Sequence, residues 1–157
     1  MVKINFSNRQ RKVKLPSNAR NLVTQSVEAV LSSEGFCKPC EVNVTFVSDD
    51  KIYKINKAFR NIDKSTDVLS FPLGVDDEFE INPENNFLML GDVIISLEHA
   101  LAQAEYFGHG VDREIAYLTV HSILHLLGYD HIDEGEEKKL MRSKEEKALK
   151  ILGLEIK

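Results

Sequence analysis

Hydrophobic and polar positions switch side residue by residue in VKINF (2–6) and EVNVTFVS (41–48), and the second is rich in β-branched residues, so both read as strands. DVLSFP (67–72) and LGDVIIS (90–96) are short apolar runs that also read as strands, the first stopped by its proline. Between 17 and 35, Leu22, Val23, Ser26, Val27, Val30 and Leu31 keep a helical period, with Ser17 as N-cap and Gly35 as stop. Ser48-Asp49-Asp50 opens a helix through about Arg60, with Ile52, Ile55 and Phe59 inward. Ser96 caps a third helix over 97–107, with Leu97, Leu101 and Ala104 inward and Gly108 at its end. Residues 111–127 are apolar on nearly every side, the pattern of a buried helix. A last helix opens at Asp133-Glu134-Gly135-Glu136, which has capping-box spacing. It carries Leu140, Met141, Lys144, Ala148, Leu149 and Leu152 on one side and ends at Gly153.

The order β-α-β-α-β-β-α-α-α predicts an α+β fold in a single domain over 1–157. A mixed four-stranded sheet is expected, packed with about five helices, with the 111–127 helix at the centre. DVLSFP and LGDVIIS are close enough in sequence to pair antiparallel. The acidic stretch 74–88 reads as a long loop or an irregular hairpin.

Composition narrows the setting. The 157 residues are 43% apolar and 29% charged, ordinary for a globular domain, and no apolar run reaches the ~18 residues of a membrane span. The N-terminus lacks the apolar core of a secretory signal, and two cysteines make no disulfide framework, so a reducing cytoplasm is expected. Net charge of −5 argues against coating nucleic acid by bulk electrostatics, and neither DNA nor membrane is an expected partner. Charge is nevertheless segregated. Lys51, Lys54, Lys57, Arg60 and Lys64 form one basic cluster and Arg9, Arg11, Lys12 and Lys14 another, while acids gather in 75–85 and 133–137.

The chemistry lies in HSILHLLGYDH (121–131). His121 and His125 stand one helical turn apart on one face. Gly128 can take the left-handed conformation that ends a helix and reverses the chain, returning His131 toward the other two. Three imidazoles with a fourth position left to water are a common catalytic zinc set, although they also suit nickel, copper or iron. The spacing H-x-x-x-H-x-x-G-x-x-H matches the ligand skeleton of metzincin proteases, where a glutamate after the first histidine is the general base. Here that residue is Ser122, which takes no proton at neutral pH. Asp130 is expected to orient a histidine rather than act as base. His99 and His109 are expected on the surface, and Cys37 and Cys40 as incidental thiols.

HSILHLLGYDH resembles the motif of the YbeY family of bacterial ribosomal RNA maturation factors, H-G-x-L-H-L-x-G-Y-D-H, with Ser122 in place of glycine. INKAFRNIDKSTDVLSFP (55–72) resembles the family's L-N-x-x-Y-R-x-x-D-x-P-T-D-V-L-S-F-P, with Phe59 for tyrosine and Ser65 for proline. GDVIIS (91–96) fits G-D-I-x-I-S, and Met141 with Glu145 suits the family's C-terminal helix; the resemblance spans roughly 41–150. It implies a single-strand-specific endoribonuclease with one zinc ion, acting in 3′-end maturation of small-subunit ribosomal RNA and in ribosome quality control. A small-subunit protein and a ribosome-assembly GTPase are the implied partners. Arg60 falls at the family's arginine, where a guanidinium gives bidentate contacts to phosphoryl oxygens; the competing reading is a surface salt bridge with Asp63 or Asp67. Lys64 reads as an ordinary surface lysine, Val68, Leu69 and Phe71 as core, Ser70 as facing the cleft and Asp92 as a backbone cap. Two alternatives stand beside the nuclease: an assembly factor whose metal is structural, and a metallohydrolase of another substrate class.

Overall fold

The computed structural model describes residues 2–74, 78–129 and 135–154. Ten elements follow one another: β1 (Val2–Asn8), α1 (Ala19–Ser33), β2 (Cys40–Val47), α2 (Asp49–Arg60), β3 (Val68–Pro72), β4 (Glu80–Ile81), β5 (Leu88–Ser96), α3 (Leu97–Phe107), α4 (Val111–Leu126) and α5 (Glu136–Ile151). The expected α+β architecture is the one observed. The sheet runs β1-β2-β5-β3, with β4 a short extra partner of β5. β1, β2 and β5 are parallel, whereas β3 pairs antiparallel with β5 from Val68↔Ile95 to Pro72↔Gly91, as the closeness of DVLSFP and LGDVIIS suggested.

The pleat of β5 divides the core in two, because successive side chains point to opposite faces. Val93 and Ile95 join the main core, which α1, α4 and α5 cover. Ile94 points the other way and packs with Val47, Ile52, Ile55, Leu69 and Phe71 under α2. α4 lies in the larger half with ten residues buried, as expected of a helix apolar all round. Beyond α2 the second face is polar: Asn5, Asn43 and Asp92 are register partners across three strands, and Asn43 Nδ2 donates to Asp92 Oδ1 at 2.7 Å. Asp92 is therefore bonded to a side chain, and among the described residues it caps no backbone group.

Several local expectations need correction. Asn18, not Ser17, is the N-cap of α1, and no side-chain bond closes that end. Phe59 is 75% exposed and only meets the edge of Phe71, because the stripe of α2 turns on Ile52 and Asn56 instead. Leu140 is half exposed, and the buried side of α5 is Met141, Glu145, Ala148 and Leu149. The Asp133 capping box lies outside the described residues. The acidic stretch does contain a small hairpin: Glu80 pairs with Met89, and Asn82 N–H donates to the carbonyl of Phe87 at 2.9 Å.

Gly91 sits where three elements close on one another. Its φ is +145°, and a Cβ there would stand 2.3 Å from the Phe71 carbonyl oxygen and 2.9 Å from Leu126 Cδ2. The residue just before it, Leu90, is the extra one at a break in the β2–β5 register.

Candidate metal centre

α4 delivers the two described histidines of the motif. His121 and His125, one turn apart, face each other with their Nε2 atoms 3.1 Å apart and their rings nearly perpendicular. Two imidazole nitrogens bound tetrahedrally at ~2.0–2.1 Å stand about 3.3 Å apart, so the pair fits a shared metal ion. His121 Nδ1 lies 2.5 Å from Glu145 Oε2 of α5. A carboxylate accepting the Nδ1 proton leaves the lone pair on Nε2, the tautomer a metal ligand needs, and fixes the ring's direction. Glu145 is buried, so its charge has no better partner than this imidazole. The hydrophobic pattern of α5 could not single it out, since the same pattern placed Lys144 inward.

His131 and Asp130 lie outside the described residues, and among the described residues no set of three such donors converges. The chain is nevertheless steered firmly up to that point. Leu127 ends α4, and Gly128 takes φ +106°, with its N–H on the His125 carbonyl at 3.0 Å. The Tyr129 hydroxyl then donates to Glu34 at the end of α1, and Lys144 Nζ stands 2.9 Å from the same carboxylate. Tyr129 thus ties the turn to α1 and α5, and the hydrogen bond it donates to the Glu34 carboxylate pushes the phenol's pKa up. Ser122 is fully buried, and among the described residues its Oγ has no hydrogen-bond partner. It does not face the cleft, which suits a residue that replaces glycine in the motif.

A groove of about 890 Å³ opens beside His121. Asp67, at the start of DVLSFP, lines it together with His121, so the two motif stretches meet there. Asp67 accepts from Gln103 Nε2 at 3.2 Å. Tyr117, one turn before His121 and stacked on it at 5.8 Å, lies in the same groove. Burial and then the nearby Glu145 carboxylate push the Tyr117 hydroxyl up to about 12, so it stays protonated as a donor.

Arg60 is the last residue of α2, on the far face of the sheet, and its side chain is exposed. Among the described residues it makes no ion pair. Asp63 is taken by Tyr53 and Lys57 and Asp67 by Gln103, so the salt-bridge reading of Arg60 finds no partner. Asn61 follows in the left-handed conformation, and buried Asn56 donates Nδ2 to the Lys64 carbonyl at 2.9 Å. These hold the loop that leads from Arg60 to Asp67. Seven residues reach at most ~24 Å. Lys64 is exposed, and Ser70 pairs with Val93, placing it on the face α4 covers.

The other two histidines are not simple surface residues. His99 Nδ1 is 2.6 Å from Asp49 Oδ1, joining the starts of α2 and α3, and His109 Nε2 is 2.7 Å from buried Glu114. Cys37 is exposed and Cys40 fully buried; burial raises the Cys40 thiol pKa, which makes it inert.

Residues 5–153 match the family profile of Endoribonuclease YbeY. The chain is 49% identical over 154 residues to Endoribonuclease YbeY of Caldanaerobacter subterraneus subsp. tengcongensis, covering 95% of this chain and 96% of that protein. It is 46% identical over 150 residues to Endoribonuclease YbeY of Carboxydothermus hydrogenoformans, covering 96% and 97%. Among solved structures, that of TM1509 from Thermotoga maritima superposes with a TM-score of 0.61 at 25% identity, covering 96% of this chain and 92% of that one.

Proposed function

We propose, for a chain that belongs to the YbeY family of endoribonucleases, that His121, His125 and His131 hold one zinc ion at which an RNA phosphodiester is cut. Family membership makes the chain a metal-dependent phosphodiester hydrolase involved in 16S ribosomal RNA 3′-end maturation. The observation that carries the site is the facing pair of imidazoles with Glu145 behind one of them. A metal bound there supplies Lewis-acid polarisation of the phosphoryl oxygens.

The chain's own residues do the rest. Glu145 orients His121, and Tyr129 fixes the turn that leads toward His131. Tyr117 presents a protonated hydroxyl to the groove, and Arg60, exposed at the end of α2 and without an ion pair among the described residues, is assigned to the charge that grows on the phosphate by the family motif in which it stands. Single-stranded RNA is the substrate that leaves a phosphodiester accessible to a site on a groove floor. A small-subunit ribosomal protein and an assembly GTPase are proposed as partners in the cytoplasm, on the family resemblance alone.

The decisive experiment measures metal content by elemental analysis, then cleavage of single-stranded RNA with and without chelator, with analysis of the product ends. Zinc at one equivalent and chelator-sensitive cleavage are expected; metal-independent cleavage would sink the proposal. A 2′,3′-cyclic phosphate product would mean attack by the ribose 2′-hydroxyl, a 3′-hydroxyl attack by water.

Two variants probe the supporting residues. Arg60→Ala should keep metal and fold while slowing cleavage by roughly 10²–10³-fold, comparable to removing one preorganised donor at a developing charge. Unchanged rates would remove Arg60 from the mechanism. Glu145→Gln should weaken metal affinity by about 10–100-fold, read by competition with a chromogenic chelator. Wild-type affinity in that variant would reduce Glu145 to a packing role.

A further inference from the structure

We propose that the groove beside His121 continues as a nucleotide subsite, in which a base of single-stranded RNA stacks on Phe107 and the adjoining phosphate meets Arg142 and Lys138. The inference rests on reading His121 as part of the cleavage site, because the same groove joins it to Phe107. Its volume of about 890 Å³ leaves room for more than the scissile group.

The far end of the groove is built unlike a folding feature. Tyr106 and Phe107 close α3 at 84% and 63% exposure, edge to face at 5.1 Å, and contribute nothing to either core cluster. Two adjacent bare rings carry a solubility cost that the fold does not recover. Phe107 is also braced. The His109 ring lies 17° from parallel with it at 5.8 Å.

His109 is itself immobilised. Arg113 Nη1 donates to Nδ1 at 3.0 Å, so the ring proton sits on Nε2 and is donated to buried Glu114 at 2.7 Å. Both nitrogens are therefore committed, and what the imidazole still offers is its ring face. Arg113 is held in turn by the Leu154 carbonyl at 2.9 Å. A stack fixed in advance is what base binding without sequence readout uses, since every base has a π-face.

Charge fits the same occupant. Among the described residues lining the groove, five lysines and arginines stand against four carboxylates, in a chain whose net charge is −5. Two of those carboxylates, Glu114 and Glu145, are turned onto histidines. Lys138 and Arg142 lie one turn apart on α5 and so share a face along the groove.

The test uses metal-loaded full-length protein and a ten-nucleotide 2′-O-methyl RNA containing 2-aminopurine, whose fluorescence is quenched on stacking. Wild type should quench the probe. Phe107→Ala should bind about tenfold more weakly with less quenching, since stacking is worth ~1–3 kcal/mol per base. Phe107→Trp should restore both. In cleavage assays the alanine variant should raise KM more than it lowers kcat. Arg142→Gln should keep the quenching and flatten the salt dependence of binding by a slope of about 0.7, one phosphate contact on a single strand. Binding of Phe107→Ala within twofold of wild type, while wild type cuts RNA, overturns the subsite and assigns the rings to a protein contact, with the nuclease reading intact. Wild type that neither binds nor cuts single-stranded RNA overturns both.

Discussion

His125→Ala is expected to lose its metal and to cleave single-stranded RNA at least about 10³-fold more slowly, with the helical fold preserved. Lewis-acid stabilisation is worth several kcal/mol, and each ~1.4 kcal/mol is tenfold in rate. Alanine is the best helix former, and His125 lies in the last turn of α4, so the helix tolerates the change. Its Nε2 faces that of His121 at 3.1 Å, leaving His121 without its neighbour donor. Elemental analysis, circular dichroism and a single-turnover assay check the three parts separately. A metal-free variant that still cleaves at the wild-type rate would refute the role given to these histidines.

Gly91→Ala should be the most damaging single-methyl change in the sheet. At φ +145° an L-residue is strained by ~1–3 kcal/mol, and crowding in a filled interior adds a similar amount. The Cβ would meet the Phe71 carbonyl, which belongs to backbone paired with β5 and has no rotamer to escape into. A loss of about 2–5 kcal/mol follows, a large share of the ~5–15 kcal/mol that holds a domain together. Urea unfolding reads it directly; a midpoint indistinguishable from wild type would mean the strand crossing is not as close as described. Leu126, whose Cδ2 also stands in the way together with Pro72 Cα, adjoins His125 on α4, so metal affinity should fall along with stability.

Features that repeat along the chain were legible in the sequence; features that depend on a partner elsewhere in the fold were not. α1 and α3 were legible because their apolar positions recur at 3.6, α4 because it is apolar all round, and α2 from its cap; Ser48 and Ser96 accept from Lys51 and His99 backbone as their positions suggested. β4 was not: two exposed residues have no alternation, and they extend only because β5 offers them a partner. The same limit governs the site. His121 and His125 announce themselves by spacing, whereas Glu145 is twenty-four residues away and Glu34 ninety-five from Tyr129. Asn56, which shapes the loop after Arg60, looks like any helix-surface amide until its partner at Lys64 is seen. His99 and His109 were misplaced for the same reason, since each is drawn in by a distant or buried acid.

The bond between His121 and Glu145 has a consequence for the order in which the protein comes to life. Glu145 belongs to α5, which is synthesised after every other described element, while His121 emerges earlier on α4. A nascent chain whose sheet and first four helices have already folded still lacks the carboxylate that aims this imidazole, until α5 clears the exit tunnel and docks. An endoribonuclease thus has its imidazole aimed only by the element that docks after the rest of its core has formed.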